Sequence, residues 1–375
     1  MRTSTTSIGR VRTVLVFAEG SNAKAVISSV IAHAYDNTDD ERVSFVGPVT
    51  FDESTISHVR DILIPIIDSI LDSLRLTKKS FEISVVNPGA VSVSDLGVEI
   101  TGFSADVPML LAMLSAALNM AISNDVVSTG HVASSDGDIA AVKAIPAKIS
   151  AASDDRTICC FIYPALDKDR SLTVLSPVEK ENTEVAVIGA KGRLKMTAVN
   201  DIADLAQAVF TDEAIVPSSL REGFFAVDCS DQPGGNPIST AVRFLVENNE
   251  SRFWIVLERY FHAGETERAK RLLLAYSQFH IRIKQYPKEF GRKLIQLLRS
   301  LPPGTRKNRI DFPVLPTLEC VNLTQFATKS DAGDIGLLYD AQKARRSGQN
   351  LLQPKSQKLP VMNPRITKIR LLLIL

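Results

Sequence analysis

Charge of one sign, paired cysteines and metal-binding motifs are all scarce in this chain of 375 residues. Lysine and arginine number 43 and aspartate and glutamate 42, so the net charge of +1 indicates no charged partner for the whole molecule. The four cysteines form no Cys-x-x-Cys pair, and the five histidines form no His-Glu-x-x-His pattern. We therefore expect neither a metal nor a cofactor.

Long apolar runs are also missing, and we expect no secretory leader. The apolar run over residues 14–18 is too short for the core of a signal peptide. No run approaches the roughly 20 apolar residues that a membrane-spanning helix needs. Few cysteines without a pairing pattern are typical of a reducing compartment. The sequence predicts a cytoplasmic protein without a membrane span.

Apolar periodicity divides residues 1–212 into alternating strands and helices. Pro65 is expected to kink or split the second helix. Such alternation predicts an α/β domain. The predicted strands cover residues 11–18, 43–46, 81–86, 96–100, 126–132, 139–142, 158–163 and 185–188, and the predicted helices cover residues 23–33, 55–76, 105–121, 146–152 and 202–210.

The remainder of the chain differs in composition. Residues 213–237 include a Gly/Pro-rich stretch and are interpreted as a linker, residues 238–310 as a basic helical domain, and residues 311–375 as an irregular or partly disordered tail. The basic segment has three open interpretations: a protein-docking surface, a solvated helix face, or a nucleic-acid-binding surface. Acidic residues interleave its first half, so nucleic acid is the weakest of the three.

A serine that precedes an apolar helix is the first pattern that bears on chemistry. Ser104 lies in the stretch Gly102-Phe103-Ser104-Ala105-Asp106, between a predicted strand and the helix over residues 105–121. A helix N-terminus stabilises developing negative charge, so backbone amides here can form an oxyanion site. A serine in this place is also an ordinary helix N-cap, and the pattern taken alone favours the cap.

The residues that follow make this region resemble the proteolytic domain of Lon proteases. In that family the nucleophile opens a helix in a Gly-Pro-Ser-Ala-Gly stretch, and its base is the last lysine of a Val-Gly-Gly-Ile-Lys-Glu-Lys-like stretch. Here Ser104 and Lys148 stand 44 positions apart, and Lys148 ends the stretch over residues 142–148. Asp125 and the Thr129-Gly130 pair fall where the family has Asp and Thr-Gly. The resemblance covers about residues 10–212.

The resemblance implies a Lon-type proteolytic domain with short mixed sheets and packed helices, followed by a mainly helical C-terminal region. It also implies the role of each site residue: Ser104 as nucleophile, Lys148 as general base, Thr129 as the residue that orients the amine, and the backbone at Phe103, Ala105 and Gly130 as the oxyanion or substrate site. A lysine is a base only when neutral, so its pKa must fall by roughly 3 units from about 10.4. The apolar neighbours of Lys148 in sequence can supply the necessary desolvation.

A domain of this kind is expected to be a serine endopeptidase that acts on a polypeptide substrate. Lon proteases usually carry an ATPase module, but this chain has no Gly-x4-Gly-Lys-Ser/Thr loop to bind ATP phosphates. We therefore expect cleavage without ATP, acting on unfolded or small substrates or with a separate ATPase or unfoldase partner. A homo-oligomer is a further expectation.

Four departures from the family pattern keep an alternative open. Phe103 replaces the proline, Asp106 replaces the second glycine, Lys143-Ala144 replaces Gly-Gly, and His131 stands where the family has an acidic or small residue. A carboxylate two residues after the nucleophile would oppose an oxyanion if it pointed toward it. The alternative is a catalytically inactive Lon-like domain that acts as a protein-interaction or assembly module.

Overall fold

The structure is a computed structural model that describes residues 5–19, 22–36, 42–47, 49–86, 99–100, 102–166, 175–229, 235–285 and 289–300. Contacts divide the chain into two compact units, Met1–Asn249 and Glu250–Leu375. The predicted tail over residues 311–375 and most of the predicted strand over residues 96–100 lie outside the described residues. In the described residues, no helix has both the length and the apolar character that crossing a membrane requires.

The first unit combines a multi-stranded mixed sheet with helices, so the predicted α/β class is confirmed. Its strands are β1 Thr6–Ser7, β2 Arg10–Glu19, β3 Asn22–Asp36, β4 Val43–Val46, β5 Thr50–Phe51, β6 Lys79–Val86, β7 Glu99–Ile100, β8 Ile122–Ser123, β9 Val126–Ser128, β10 His131–Val132, β11 Ile139–Ala140, β12 Cys160–Pro164 and β13 Lys195–Val199. Its helices are α1 Glu53–His58, α2 Ile64–Ser73, α3 Asp106–Ala117, α4 Ile145–Asp154, α5 Pro177–Ala190, α6 Ile202–Val209, α7 Asp212–Glu222 and α8 Pro237–Val246.

A mixed sheet lies at the centre of this unit. Among the described residues it has seven strands in the order β13-β12-β9-β2-β3-β6-β4. The short strand β9 pairs in parallel with β2 on one side and with β12 on the other. The long strand β3 pairs antiparallel with both β2 and β6. The loop after β9 therefore leaves the sheet between two parallel neighbours.

Both faces of the sheet are covered by apolar side chains. Val11 and Leu15 of β2 belong to a core with buried residues of α2, α3, α6 and α8. Val14, between them, belongs to a second core with buried residues of α4 and α5. Successive side chains of a strand point to opposite faces, so α3 and α4 cover opposite sides of the sheet. The loop after β9 lies where these two layers meet.

Two predicted elements have the wrong type. Residues 23–33 are part of strand β3 and not a helix, because β-branched residues fit a pleated surface and neighbours on both edges supply hydrogen bonds. Residues 185–188 lie inside helix α5 and not in a strand. That helix begins with a capping box between Ser176 and Glu179 and with Pro177 in its first turn. These start signals outweigh a short apolar run.

The helical segment over residues 53–73 is continuous but changes its pitch ahead of Pro65. Helix α1 ends at His58, a π-helical segment covers Val59–Leu63, and α2 begins at Ile64. Proline lacks a backbone N–H and crowds the preceding turn, and a wider turn accommodates it. The disturbance predicted at Pro65 is thus present, and it follows directly after His58.

The first unit extends beyond residue 212, where the sequence places its end. The predicted linker over residues 213–237 contains α7, whose Ile215, Val216 and Leu220 are buried. Helix α8 buries Ile238 and Val242 in the same core as α3. The Gly/Pro-rich sequence near residues 231–235 led to the prediction of a linker. The apolar residues on either side of it nevertheless belong to one core.

The second unit contains α9 Asn249–His262, α10 Thr266–Ile283 and α11 Phe290–Ser300 in its described part. Its centre is aromatic: Phe253 stacks on Tyr276 with ring centroids 4.1 Å apart, and Tyr276 stacks on Phe290 at 5.2 Å. The hydroxyl of Tyr276 and the indole N–H of Trp254 both donate to the carboxylate of Glu250. These aromatic rings therefore serve the packing of the unit.

Candidate active site

Ser104 lies in a 3₁₀ turn, Phe103–Ala105, that leads directly into α3. The residue at the N-cap of α3 is Ala105, and no side chain caps this helix. The ordinary explanation of the serine, a helix cap, therefore does not apply. Within the described residues the hydroxyl of Ser104 has no hydrogen-bond partner, so it is available for another purpose.

Lys148 is the fourth residue of α4, and only 1 % of it is exposed. Its Nζ donates to Oγ1 of Thr129 at 2.8 Å. Desolvation by burial lowers the pKa of Lys148 from 10.5 to about 7. A large fraction of the amine is consequently neutral at neutral pH, which is the state that a general base requires.

Thr129 connects this lysine to the serine turn. Its hydroxyl accepts from Lys148 and donates to the backbone carbonyl of Ser104 at 3.2 Å. The hydroxyl proton of Thr129 is used in the bond to that carbonyl. The threonine oxygen therefore accepts an N–H of the Lys148 amine, and the lone pair of the amine is not used in this bond. The orienting role predicted for Thr129 fits this geometry. Among the described residues, the hydrogen bonds do not include one between the Ser104 hydroxyl and the Lys148 amine.

Gly130 has a different role from the one predicted. Its backbone N–H donates to the carbonyl of Ser104 at 3.4 Å, and its own carbonyl accepts from the N–H of Val107 at 3.3 Å. An amide already used in this way is not an oxyanion donor. A Cβ at this position would lie 2.8 Å from Cγ2 of Val107, so any other residue would force neighbouring side chains to shift. Gly130 therefore positions the serine turn, and Phe103 and Ala105 remain as the predicted oxyanion backbone.

Asp125 does not reach the site. It precedes β9, whereas Thr129 follows the strand, so the two lie at opposite ends of it. The Asp125 carboxylate accepts from the hydroxyl of Ser123, and its carbonyl accepts from the amides of Cys159 and Cys160. The structure thus brings Ser104, Thr129 and Lys148 together and leaves Asp125 outside.

Searches against protein-family models and against curated proteins find no match to this chain.

Asp106 replaces the second glycine of the Lon pattern, and its carboxylate would oppose an oxyanion if it pointed toward Ser104. The side chain is instead directed toward two histidines. It is fully buried, and its Oδ2 accepts from Nδ1 of His131 at 2.6 Å and from the N–H of Val132 at 3.3 Å. The same oxygen lies 3.2 Å from Nε2 of His58. His58 Nε2 also lies 3.0 Å from the carbonyl of Val132, so this nitrogen carries a proton.

The sequence does not predict this cluster of His58, Asp106 and His131. The three residues are far apart in the chain and follow no known spacing. The sequence did contain one signal of the cluster: Asp106 and His131 both depart from the Lon pattern. In the structure these two residues contact each other. Burial lowers the pKa of His58, but the hydrogen bond and the charge of Asp106 together raise it above its usual value. The two departures thus form one electrostatic unit.

The turn before α4 contains Lys143-Ala144, where the Lon pattern has Gly-Gly. Ala144, the N-cap of α4, has φ 58° and ψ 30°, in the left-handed region. A side chain with Cβ is strained there by about 1–2 kcal/mol, whereas glycine is not. The turn is formed even so, because α4 is anchored by the buried Ile145 and Ile149.

Ala144→Gly is expected to raise the free energy of unfolding by about 0.5–1 kcal/mol, since relief of strain exceeds the added flexibility of the unfolded chain. Ala151→Gly, in the regular part of α4, is the matched control and should lower it by about 1 kcal/mol. Urea denaturation at pH 7 measures both. Equal destabilisation by the two changes would contradict a strained Ala144.

Proposed function

We propose that the first unit is a Lon-type peptidase domain that hydrolyses peptide bonds with Ser104 as nucleophile and Lys148 as general base, without ATP. The observation that carries this proposal is the buried amine of Lys148, which is hydrogen-bonded to the threonine that also contacts Ser104. A buried lysine with a pKa of about 7 and no ionic partner is costly for stability. Perturbed groups of this kind cluster at functional sites.

The chemistry requires few groups. A serine hydroxyl is a weak nucleophile until a base removes its proton. The neutral amine of Lys148 takes that proton while Oγ of Ser104 attacks the scissile carbonyl carbon. The resulting ammonium then gives the proton to the leaving amine, and an acyl-enzyme remains on Ser104. Water releases the acid product by the same steps, with Lys148 again as base.

The start of α3 supplies the electrostatic part. The first amides of a helix have no partner inside the helix, and its dipole favours negative charge at this end. An oxyanion near the amide of Ala105 is stabilised by both effects. Asp106 lies at the same helix end, but its Oδ2 is directed toward His131 and the amide of Val132, from which it accepts hydrogen bonds.

The substrate in this proposal is an unfolded or small polypeptide, or one delivered by a separate ATPase or unfoldase partner. The second unit supports a protein-docking or solvated surface better than a nucleic-acid surface. Its basic side chains alternate with acidic ones in ion pairs, as in Arg268 with Glu265 and Lys270 with Glu267. Such pairing reduces the net positive field that phosphate binding needs.

Ser104→Ala is expected to reduce the cleavage of an unfolded casein-like polypeptide by at least about 10⁴-fold, because no acyl-enzyme can form. Release of labelled peptides at pH 8 measures this effect. A fluorophosphonate should label the wild type at Ser104, as located by mass spectrometry of peptides. Ser54→Ala, an exposed serine of α1, is the control and should cleave normally.

Cleavage that persists in Ser104→Ala would refute the proposed nucleophile. One observation favours the alternative of a catalytically inactive interaction or assembly module: the hydrogen bond of Lys148 goes to Thr129, and among the described residues none joins it to the Ser104 hydroxyl. That alternative predicts neither cleavage nor labelling by the wild type. The same two measurements therefore separate the candidate functions.

A further inference from the structure

The cluster of His58, Asp106 and His131 lies beside the Ser104 turn, and the peptidase mechanism does not use it. We propose that these three side chains form a binding site for one divalent transition-metal ion of the zinc type. Two imidazole nitrogens and a carboxylate oxygen, one from each residue, all lie within 4.8 Å of one another. The site is independent of the proposed hydrolysis.

The spacing of the donor atoms suits a single ion. Zinc binds imidazole nitrogen and carboxylate oxygen at about 2.0–2.2 Å, so neighbouring ligand atoms in a tetrahedral shell are roughly 3.4 Å apart. Oδ2 of Asp106 lies 3.2 Å from Nε2 of His58 and 2.6 Å from Nδ1 of His131. Small side-chain movements open this triangle to the size that the ion needs.

A second and independent observation is the other carboxylate oxygen. Oδ1 of Asp106 is buried and has no hydrogen-bond partner among the described residues. A buried oxygen of a carboxylate without a partner is costly, because it has lost its water and gained no donor. A cation beside the carboxylate compensates the charge on both oxygens. The hydrogen bonds to Oδ2 do not compensate the part of the charge that lies on Oδ1.

The surroundings hold the two imidazoles in place. The ring of Phe103 lies 4.6 Å from the ring of His58 and 4.7 Å from that of His131, nearly parallel to the latter. His131 and Asp106 are buried, and His58 is partly buried. An apolar ring over the ligands limits access of water and strengthens metal–ligand attraction.

The imidazole protons of His58 and His131 do not prevent metal binding. A neutral imidazole binds a metal through the nitrogen that carries no proton. In the present hydrogen bonds, Nε2 of His58 and Nδ1 of His131 are the protonated nitrogens. Metal binding at these atoms moves each proton to the other nitrogen of its ring. Two imidazoles and one carboxylate favour zinc, cobalt or nickel over magnesium and calcium, which prefer oxygen ligands.

An ion at this place would join three elements of the first unit. His58 ends α1, Asp106 begins α3, and His131 begins β10. Asp106 is also two residues from Ser104, so the ion would fix the turn that carries the proposed nucleophile. Loss of the ion is therefore expected to loosen that turn.

The test uses the full-length chain, treated with EDTA and then freed of the chelator, and titrated calorimetrically with Zn²⁺ alone. We expect one ion per chain with micromolar or tighter affinity. His58→Gln and His131→Gln should each weaken binding by at least about 100-fold, because loss of an outer-shell partner alone costs 10–100-fold. His262→Gln removes an exposed histidine beside Glu258 and should leave the affinity unchanged.

Co²⁺ serves as a spectroscopic probe of the ligands. Visible bands of nitrogen and oxygen coordination, lost in His58→Gln, would support the site. Thiolate-to-cobalt charge-transfer bands, or unchanged Zn²⁺ affinity in His58→Gln, would overturn the proposal in favour of a cysteine or an adventitious site. Absence of saturable Zn²⁺ binding by the wild type would overturn it as well. If His131→Gln fails to fold, as circular dichroism would reveal, the partly exposed His58 still decides the question.

Discussion

Lys148→Met is expected to make the protein more stable and inactive at the same time. The pKa of Lys148 falls from 10.5 to about 7, and each unit corresponds to 1.36 kcal/mol. Burial of this amine therefore costs the folded state about 4 kcal/mol at pH 7. Methionine has a similar length and no charge to desolvate. Loss of the hydrogen bond to Thr129 offsets part of the gain, which leaves about 2–4 kcal/mol.

The pH dependence has a definite sign. The unfolded lysine binds a proton up to about pH 10.5, whereas the folded one releases it above about pH 7. Between these values the unfolded state binds more protons, so the stability of the wild type rises with pH. The advantage of Lys148→Met should be largest at and below pH 7 and should fall by about half at pH 9. Urea denaturation at the two pH values measures the difference.

The activity of the wild type should also rise with pH. The wild-type rate is expected to rise through pH 7 and level off near pH 8, with a roughly tenfold lower value at pH 6, because only about a tenth of the amine is then neutral. Lys148→Met should lose at least about 10⁴-fold at every pH. The control Lys143→Met, at an exposed position in the turn before α4, should change stability by less than about 0.5 kcal/mol.

Each outcome bears on a separate step. A Lys148→Met variant that is less stable than the wild type would contradict a net cost of burying this amine. A stabilised variant that still cleaves would show that Lys148 is not the base. A stabilised variant without activity would be the mark of a residue kept for chemistry at the expense of folding, as proteins often show at functional sites.

Local patterns predicted the parts of the fold in which one signal dominates. The apolar helix after Ser104, the helix that begins near Pro146 and the buried strand before Thr129 all appear close to their predicted positions. The prediction failed for β3, since its apolar residues fit either period and only pairing with β2 and β6 decides the outcome. Such pairing depends on residues distant in the chain.

The site follows the same division. The resemblance to the Lon pattern selected Ser104, Thr129 and Lys148 as candidate site residues, and it rests on short motifs along the chain. It could not reveal that the amide of Gly130 is used by the carbonyl of Ser104, or that Asp106 faces His58. Those contacts join α1, α3 and β10, and no local pattern encodes a meeting of three elements.

Asp106→Ala is expected to lower the free energy of unfolding by about 3–5 kcal/mol when measured in EDTA. The change removes the acceptor of His131 and of the Val132 amide, both buried, and each orphaned donor costs about 1–3 kcal/mol. It also removes a negative charge at the N-terminus of α3, worth a further 0.3–1 kcal/mol or so. Asp106→Asn keeps one acceptor oxygen and should lose less.

Asp72→Ala is the matched control, because Asp72 is exposed and its carboxylate forms a surface ion pair with Lys78. Its loss should change stability by at most about 0.5 kcal/mol, as is usual for such pairs. Urea denaturation of both variants at pH 7 measures the contrast. A loss below about 1 kcal/mol for Asp106→Ala would contradict the buried hydrogen bonds described above.

A double-mutant cycle with His131→Ala tests whether the two departures from the Lon pattern form one unit. Once the histidine is gone, Asp106 has lost its shortest hydrogen bond, so removing the aspartate as well should cost less than it does alone. We expect a coupling energy of about 1–3 kcal/mol. If the two changes in the free energy of unfolding are additive, Asp106 and His131 do not stabilise each other. Strong coupling would mean that a carboxylate beside the nucleophile persists because a histidine partner holds it.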